Sequence, residues 1–247
     1  MEVPGPRTTF TYKLAPSAGQ QVPAADLDAT VSILKSRALA KDSVDPIVTA
    51  VPPDQVTVEL LNVTSQADQD AMSGYLSATG KLEFVLLPRD VYGYFDNSTL
   101  PSVPAEGDGA KPLPAKGDLI DPSLPAAFAN QDLDPTGVRA AADENSPGTW
   151  SLAFAFTKDA GDRFADFTSQ HVGDYFAIVV DGRVISVPYI RDAITGGKGE
   201  ISGGFTEEEA KNLAATLRYR PLPVPLTLVS IEGPKPTVGP ALVSNET

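Results

Sequence analysis

Between Thr8 and Leu14, Phe10, Tyr12 and Leu14 fall at every second position with polar residues between them, the period of a half-buried strand. After Pro23 the period changes: Leu27, Val31, Leu34 and Ala38 recur at steps of three and four, one apolar stripe of a helix reaching about Ala40. Two short apolar runs follow, Ile47 to Val51 and Val56 to Leu61, split by the turn-forming Pro52-Pro53-Asp54-Gln55. Ser65 with Asp68 three residues on predicts a capped helix carrying Ala67, Ala71, Met72, Tyr75 and Leu76 and ending near Gly80. Lys81 to Leu87 is apolar enough for a strand buried on both faces. Strand, helix, strand, strand, helix, strand is the ferredoxin-like order.

From Pro88 to Gly148 periodicity fails, and nine prolines fall in the stretch. A breaker-rich segment of this length predicts a largely irregular insertion, with the acidic, Pro-rich piece from Leu100 to Lys116 as a flexible excursion. Order returns at Thr149 to Phe156, a strand with Trp150, Leu152, Phe154 and Phe156 on one face, followed by a helix capped by Thr157. Tyr175 to Val180 and Arg183 to Val187 flank Asp181-Gly182, the strongest short-range hairpin signal. A Gly-rich loop comes next. Thr206 with Glu209 forms a full capping box for a helix using Ala210, Leu213, Ala214 and Leu217. Leu222 to Ile231 closes the pattern as a strand whose prolines demand an edge or a strand start. The fold class expected is α+β: a ferredoxin-like base from 1–87 plus 222–247, with an inserted α+β head from 88–221 whose first part, 88–148, is irregular.

Composition narrows the function. Against 32 acidic residues stand 19 Lys and Arg, for a net charge of −13, which argues against general nucleic-acid binding or docking on anionic lipid through a basic surface. There is no cysteine, so disulfides, thiolate nucleophiles and zinc–thiolate sites are excluded. No apolar run approaches the roughly 18 residues of a membrane helix. Met1 directly before Glu-Val-Pro-Gly-Pro reads as an abrupt start. The single histidine, His171, closes a predicted helix, where it favours the dipole rather than serving as a general base. Thr195-Gly196-Gly197-Lys198-Gly199-Glu200 fails as a phosphate loop, because Lys198 is followed by Gly and no helix starts there. Asp174, Asp181 and Asp192 carry no spacing that makes a catalytic pair, and no metal or other cofactor is expected. No enzyme chemistry is expected.

The stretch from Phe176 to Ser230, FAIVVDGRVISVPYIRDAITGGKGEISGGFTEEEAKNLAATLRYRPLPVPLTLVS, resembles the head of the first periplasmic domain of SecD, the export-motor subunit fused to or paired with SecF. The strand and helix from Ser151 to Thr168, the lead-in from Asp132 to Ala142, Lys81-Leu82-Glu83-Phe84 and Pro236 to Leu242 are similar to further family segments, so about two-thirds of the chain is covered. Departures are the missing entrance sequence near Met1, a longer stretch from Tyr92 to Asp118, and Tyr219-Arg220 where the family carries glycine. The resemblance implies a domain on the extracytoplasmic face of the cell membrane, tethered by segments absent from this chain. It implies a role late in translocation, with unfolded secretory polypeptide as client, and with SecF and the SecYEG channel as partners through the membrane part. A stand-alone relative, an envelope scaffold or lipoprotein binding a folded partner, is the alternative.

A receptor for unfolded chains needs an apolar groove with yielding rims. The residues flanking the Gly-rich loop are the candidates: Tyr189, Ile190, Ile194 and Phe205, with Phe154 and Phe156 behind them. Gly196, Gly197, Gly203 and Gly204 would supply mobility. Pro88, Pro221 and Pro223 are the expected hinge at the crossings between base and head.

Overall fold

The computed structural model describes residues 5–16, 20–41, 43–92, 111–143 and 146–233, and the chain divides into two compact units, 1–78 with 223–247 and 79–222. The expected crossings at 87/88 and 221/222 thus fall at 78/79 and 222/223.

The first unit is one sheet and two helices. Strand β1 (Arg7–Leu14) buries Thr8, Phe10, Tyr12 and Leu14 on one face. Helix α1 (Ala24–Ala40) lies between it and the hairpin of β2 (Ile47–Val51) and β3 (Gln55–Leu61). Its buried stripe is Leu27, Thr30, Leu34, Arg37 and Ala38, and Val31 is only half-buried. Helix α2 (Gln66–Ser77) starts on Ser65, whose hydroxyl accepts the Asp68 amide at 3.1 Å. It turns Met72, Ser73, Tyr75 and Leu76 inward and leaves Ala67 and Ala71 exposed, a rotation from the predicted stripe.

The strand that completes this βαββαβ pattern is not Leu82–Leu86. It is the last strand of the chain, β11 (Leu226–Glu232), which pairs antiparallel with β1 and gives the order β11-β1-β3-β2. That all-antiparallel order is the ferredoxin-like arrangement, so the second unit interrupts it between α2 and β11. β11 is an edge strand, and Pro223 and Pro225 fall just before its first residue rather than within it.

The second unit holds two sheets. In the first, β4 (Leu82–Leu86) pairs with β5 (Ala126–Ala129) and with β8 (Phe176–Val180), which forms a hairpin with β9 (Arg183–Ser186). The hairpin turn puts Asp181 at φ 51 and Gly182 at φ 77, the two positive angles a type I′ turn needs. In the second sheet β7 (Trp150–Ala155) is flanked by β6 (Arg139–Ala142) and β10 (Lys198–Phe205). Helices α4 (Lys158–Gln170) and α5 (Glu207–Arg218) complete it, the latter on the predicted Thr206–Glu209 capping box. A short helix, α3 (Arg89–Tyr92), follows β4.

Two cores result. One is dominated by aromatic rings, with Phe84, Phe128, Phe154, Phe156, Phe164, Phe176 and Phe205 among its buried members. On the other face of the first sheet, Val85, Leu87, Tyr92, Ala177, Val179 and Val184 are covered by Leu113, Ile120 and Leu124. Residues 88–148 are therefore less irregular than expected. They supply β5, β6 and a segment laid along β9, where Gly117 N donates to Val184 O at 2.8 Å and Ile120 N to Gly182 O at 3.0 Å. Most of the Leu100–Lys116 excursion lies outside the described residues.

Candidate functional site

The predicted client residues sit in the second unit but do not share one surface. Phe154, Phe156, Ile190 and Phe205 are at most 6% exposed and belong to the aromatic core. The Phe156 ring lies 4.8 Å from that of Phe164, tilted, and 5.3 Å from that of Phe154, edge to face, centroid to centroid. The period-two pattern that marked Phe154 and Phe156 as one strand face also put that face inward, and Ile190 and Phe205 pack into the same core, so the assignment of all four to a groove is corrected to core. Phe205 has a further cover: the Lys116 ammonium lies 4.4 Å above its ring and donates to the Gly203 carbonyl at 2.6 Å.

Tyr189 and Ile194 remain half-exposed. The backbone around Tyr189 zips against the start of β8: Gly173 N donates to Ile190 O, Ile190 N to Asp174 O, and Phe176 N to Pro188 O. This brings the Tyr189 ring to 5.0 Å from that of Tyr175. Burial, then the neighbouring Tyr189 phenol, pushes the Tyr175 hydroxyl above its ordinary value. Ile194 is fixed by its amide, which donates to the buried Thr168 hydroxyl of α4 at 2.8 Å. Tyr175 is the member of the tyrosine pair that the sequence reading assigned only to a strand.

The expected flexible loop is mostly strand. Gly203 and Gly204 lie in β10 at a register shift opposite β7, and Gly204 takes φ 61. A Cβ on Gly203 would stand 2.8 Å from the Phe205 ring, and one on Gly197 3.0 Å from Gly161 of α4. These glycines admit close packing rather than movement. Gly196 and Gly204 are the exposed two of the four, both with open space about them; Gly196 lies in a turn, outside the strand, and has no positive φ.

The Pro88 carbonyl accepts the Val91 and Tyr92 amides, starting α3 inside the second unit, so Pro88 borders no crossing between units. Pro221 and Pro223 flank the one at 222/223. The Leu222 amide donates to the Thr79 carbonyl at 2.9 Å, which holds the two ends of the second unit side by side.

His171 closes α4, as its position predicts, with Nδ1 2.9 Å from the carboxylate of the buried Asp174, which also pairs with Arg89. Asp181 is consumed at its turn, accepting the Gly80 and Lys81 amides at 3.1 and 2.8 Å. Among the described residues no cluster of three or more His, Asp or Glu side chains could hold a metal ion. No helix of the described residues is long and apolar enough to cross a membrane.

The family profile described as SecDF, P1 head subdomain, matches residues 130–224. The SecD translocase subunit of Acetobacter pasteurianus is 32% identical over 85% of this chain, and the SecDF subunit of Thermus thermophilus is 33% identical over 87%. The chain spans only 38% and 29% of the lengths of those two relatives. Among solved structures, one of SecDF as a membrane component that enhances protein export superposes with a TM-score of 0.68 at 29% identity, covering 90% of this chain and 98% of that one. A crystal structure of SecDF in its super-membrane-facing form gives 0.73 at 28% identity, covering 92% of this chain and 30% of that one. With a ferredoxin-like sheet interrupted by a unit that matches the head profile, this chain belongs to the SecD/SecDF family of protein translocase subunits and corresponds to its first periplasmic domain, base and head.

Proposed function

We propose that this chain is the extracytoplasmic part of a protein-export component and that its second unit transiently holds unfolded polypeptide in transit. The observation that carries the reading is the half-exposed pair of Tyr175 and Tyr189, their rings 5.0 Å apart, with Ile194 also half-exposed a few residues after Tyr189, all within the segment matching the SecDF head. Unfolded chains present scattered apolar side chains with no common sequence, and a half-exposed pair of rings suits that ligand. Gly196, exposed in the same loop, gives the rim some freedom. Residues Phe154, Phe156, Ile190 and Phe205 serve the reading only as buried members of the core of the same unit. Tethering at the membrane, and contacts with SecF and the SecYEG channel, belong to segments outside this chain. No catalytic step is part of the proposal.

The test is a titration of the isotope-labelled chain with a permanently unfolded polypeptide and with its folded counterpart, followed by amide shifts. Saturable shifts at Tyr175, Tyr189, Ile194 and Gly196 with the unfolded chain only are expected. No shifts with the unfolded chain would overturn the reading, and shifts with a folded protein alone would favour the scaffold alternative.

A further inference from the structure

A second cavity-bearing surface of the same unit has a different chemistry. A cavity of about 540 Å³ opens at the C-terminal end of α5, lined by Asn130, Gln131, Leu133, Pro135 and the run from Leu217 to Pro221. Its size lies in the range of small-ligand sites. Leu133 and Leu217, at 4% and 3% exposed, form an apolar floor. Its polar lining includes Arg218, Arg220, Tyr219 and Gln131.

The charge is what sets it apart. The chain carries 32 carboxylate side chains against 19 cationic ones, yet none of the nine lining residues is Asp or Glu. The other cavities described each include at least one, from Asp54 and Asp26 in the first unit to Glu83, Asp121 and Asp181 in the second. The carboxylates nearest in sequence are already engaged: Asp132 accepts the Ala129 amide and pairs with Arg163, and Asp134 accepts both the amide and hydroxyl of Thr136. Among the described residues neither Arg218 nor Arg220 forms an ion pair. One arm of Arg218 donates to the Val138 carbonyl at 3.0 Å, which fixes its direction. The helix end supplies about half a negative charge, too little to satisfy two guanidiniums.

We infer that this cavity binds a carboxylate joined to an apolar group, the guanidiniums taking the charge and the Leu133–Leu217 floor the apolar part. A guanidinium presents a planar fork of donors matched to a carboxylate. Such a group reaches the cavity either as an acidic side chain beside an apolar one in a peptide or as a free aliphatic carboxylate. The site is lined by none of Tyr175, Tyr189 and Ile194, so it stands whether or not those residues hold clients.

The full chain, isotope-labelled, is titrated with the capped peptide Ac-Ala-Leu-Glu-Leu-Ala-NH2, with its Glu→Gln form, with hexanoate and with inorganic phosphate. Saturable shifts at Gln131, Arg218, Tyr219 and Arg220 are expected with the Glu peptide or with hexanoate, and whichever binds identifies the source. Rising salt weakens them. Arg220→Gln, which removes no side-chain hydrogen bond or ion pair among the described residues, reduces affinity about tenfold or more, the loss of one charge-assisted pair. Equal binding of the Gln peptide, tighter binding of phosphate, or unchanged affinity in Arg220→Gln overturns the assignment, as does silence with both carboxylates.

Discussion

Tyr12 carries a phenol into the fully buried face of the first unit, where its hydroxyl lies 3.4 Å from both the carbonyl and the hydroxyl of Ser73. Burial pushes its pKa up to about 12 from an ordinary 10.0, and the Ser73 contact offsets only part of this. The folded chain therefore keeps a proton that the unfolded chain releases. The stability Tyr12 contributes is complete below pH 10 and is lost as pH rises through 12. Urea unfolding of Tyr12→Phe should show a shallower fall in stability between pH 10 and 12 than the parent chain. An identical alkaline slope would contradict the burial argument. Tyr92 and Tyr175 are also raised, so only the difference between the two chains isolates Tyr12. The alternation around Phe10 made this burial legible in the sequence. Arg37 was not legible: its guanidinium is wholly buried, donating to the carbonyls of Leu76 and Ala78 at the end of α2. Nothing local distinguishes an arginine that caps a distant helix from one facing water. The same holds for Gly199, where a Cβ would lie 2.5 Å from the Phe154 ring; a glycine run looks like freedom until the neighbour across the sheet is known.

Within the long insertion, the segment 111–125 acts as a sheet-covering element. It hydrogen-bonds along β9, where Val184 N donates to Asp118 O at 2.9 Å, and it sets Leu113, Ile120 and Leu124 over the smaller core. Ile120→Ala should destabilise the second unit by about 1–2 kcal/mol, below the usual range for a fully buried isoleucine because this one is half-buried. A denaturation midpoint equal to the parent's would show that the segment is dispensable. The sequence announced this element only as an absence of periodicity, because its apolar residues are too widely spaced to repeat. Strand Leu82–Leu86 shows the opposite limit. Its apolar run declared a strand buried on both faces, and it is one, but a run apolar on both faces has no side that names its sheet. Its partner β8 lies almost a hundred residues on, and β11, which closes the first sheet instead, looked like a terminal strand. The Ala-rich β5 and β6, four residues each, carry too little alternation to be read at all. The Tyr175–Tyr189 pair proposed to meet clients was partly legible for the same reason. Loop position singled out Tyr189, whereas Tyr175 joins it only through a bridge between segments.

At the scale of the whole molecule, the chain makes one fold inside another, and the topology shows that neither unit borrows a strand from the other. The first sheet takes all its strands from Arg7–Leu61 and Leu226–Glu232, and both sheets of the second unit come from between Thr79 and Leu222. The second unit's ends are joined to each other by the Leu222–Thr79 hydrogen bond, so cutting the chain at both crossings leaves its termini paired. Residues 79–222 alone are long enough to bury roughly 70% of their unfolded surface, ample for a self-sufficient core. They should fold as an excised piece, with an amide spectrum that superposes on the corresponding signals of the intact chain away from the cut ends. The first unit poses the harder case, since its edge strand β11 follows the interruption. Ala78 and Pro223 are the residues immediately outside the paired Thr79 and Leu222, so a linker of a few Gly and Ser residues should span them and restore a continuous βαββαβ chain. Cooperative unfolding of both pieces would establish that the interruption is autonomous. An unfolded 79–222 piece beside a folded linked base would mean that the second unit draws stability from the chain outside its own sheets.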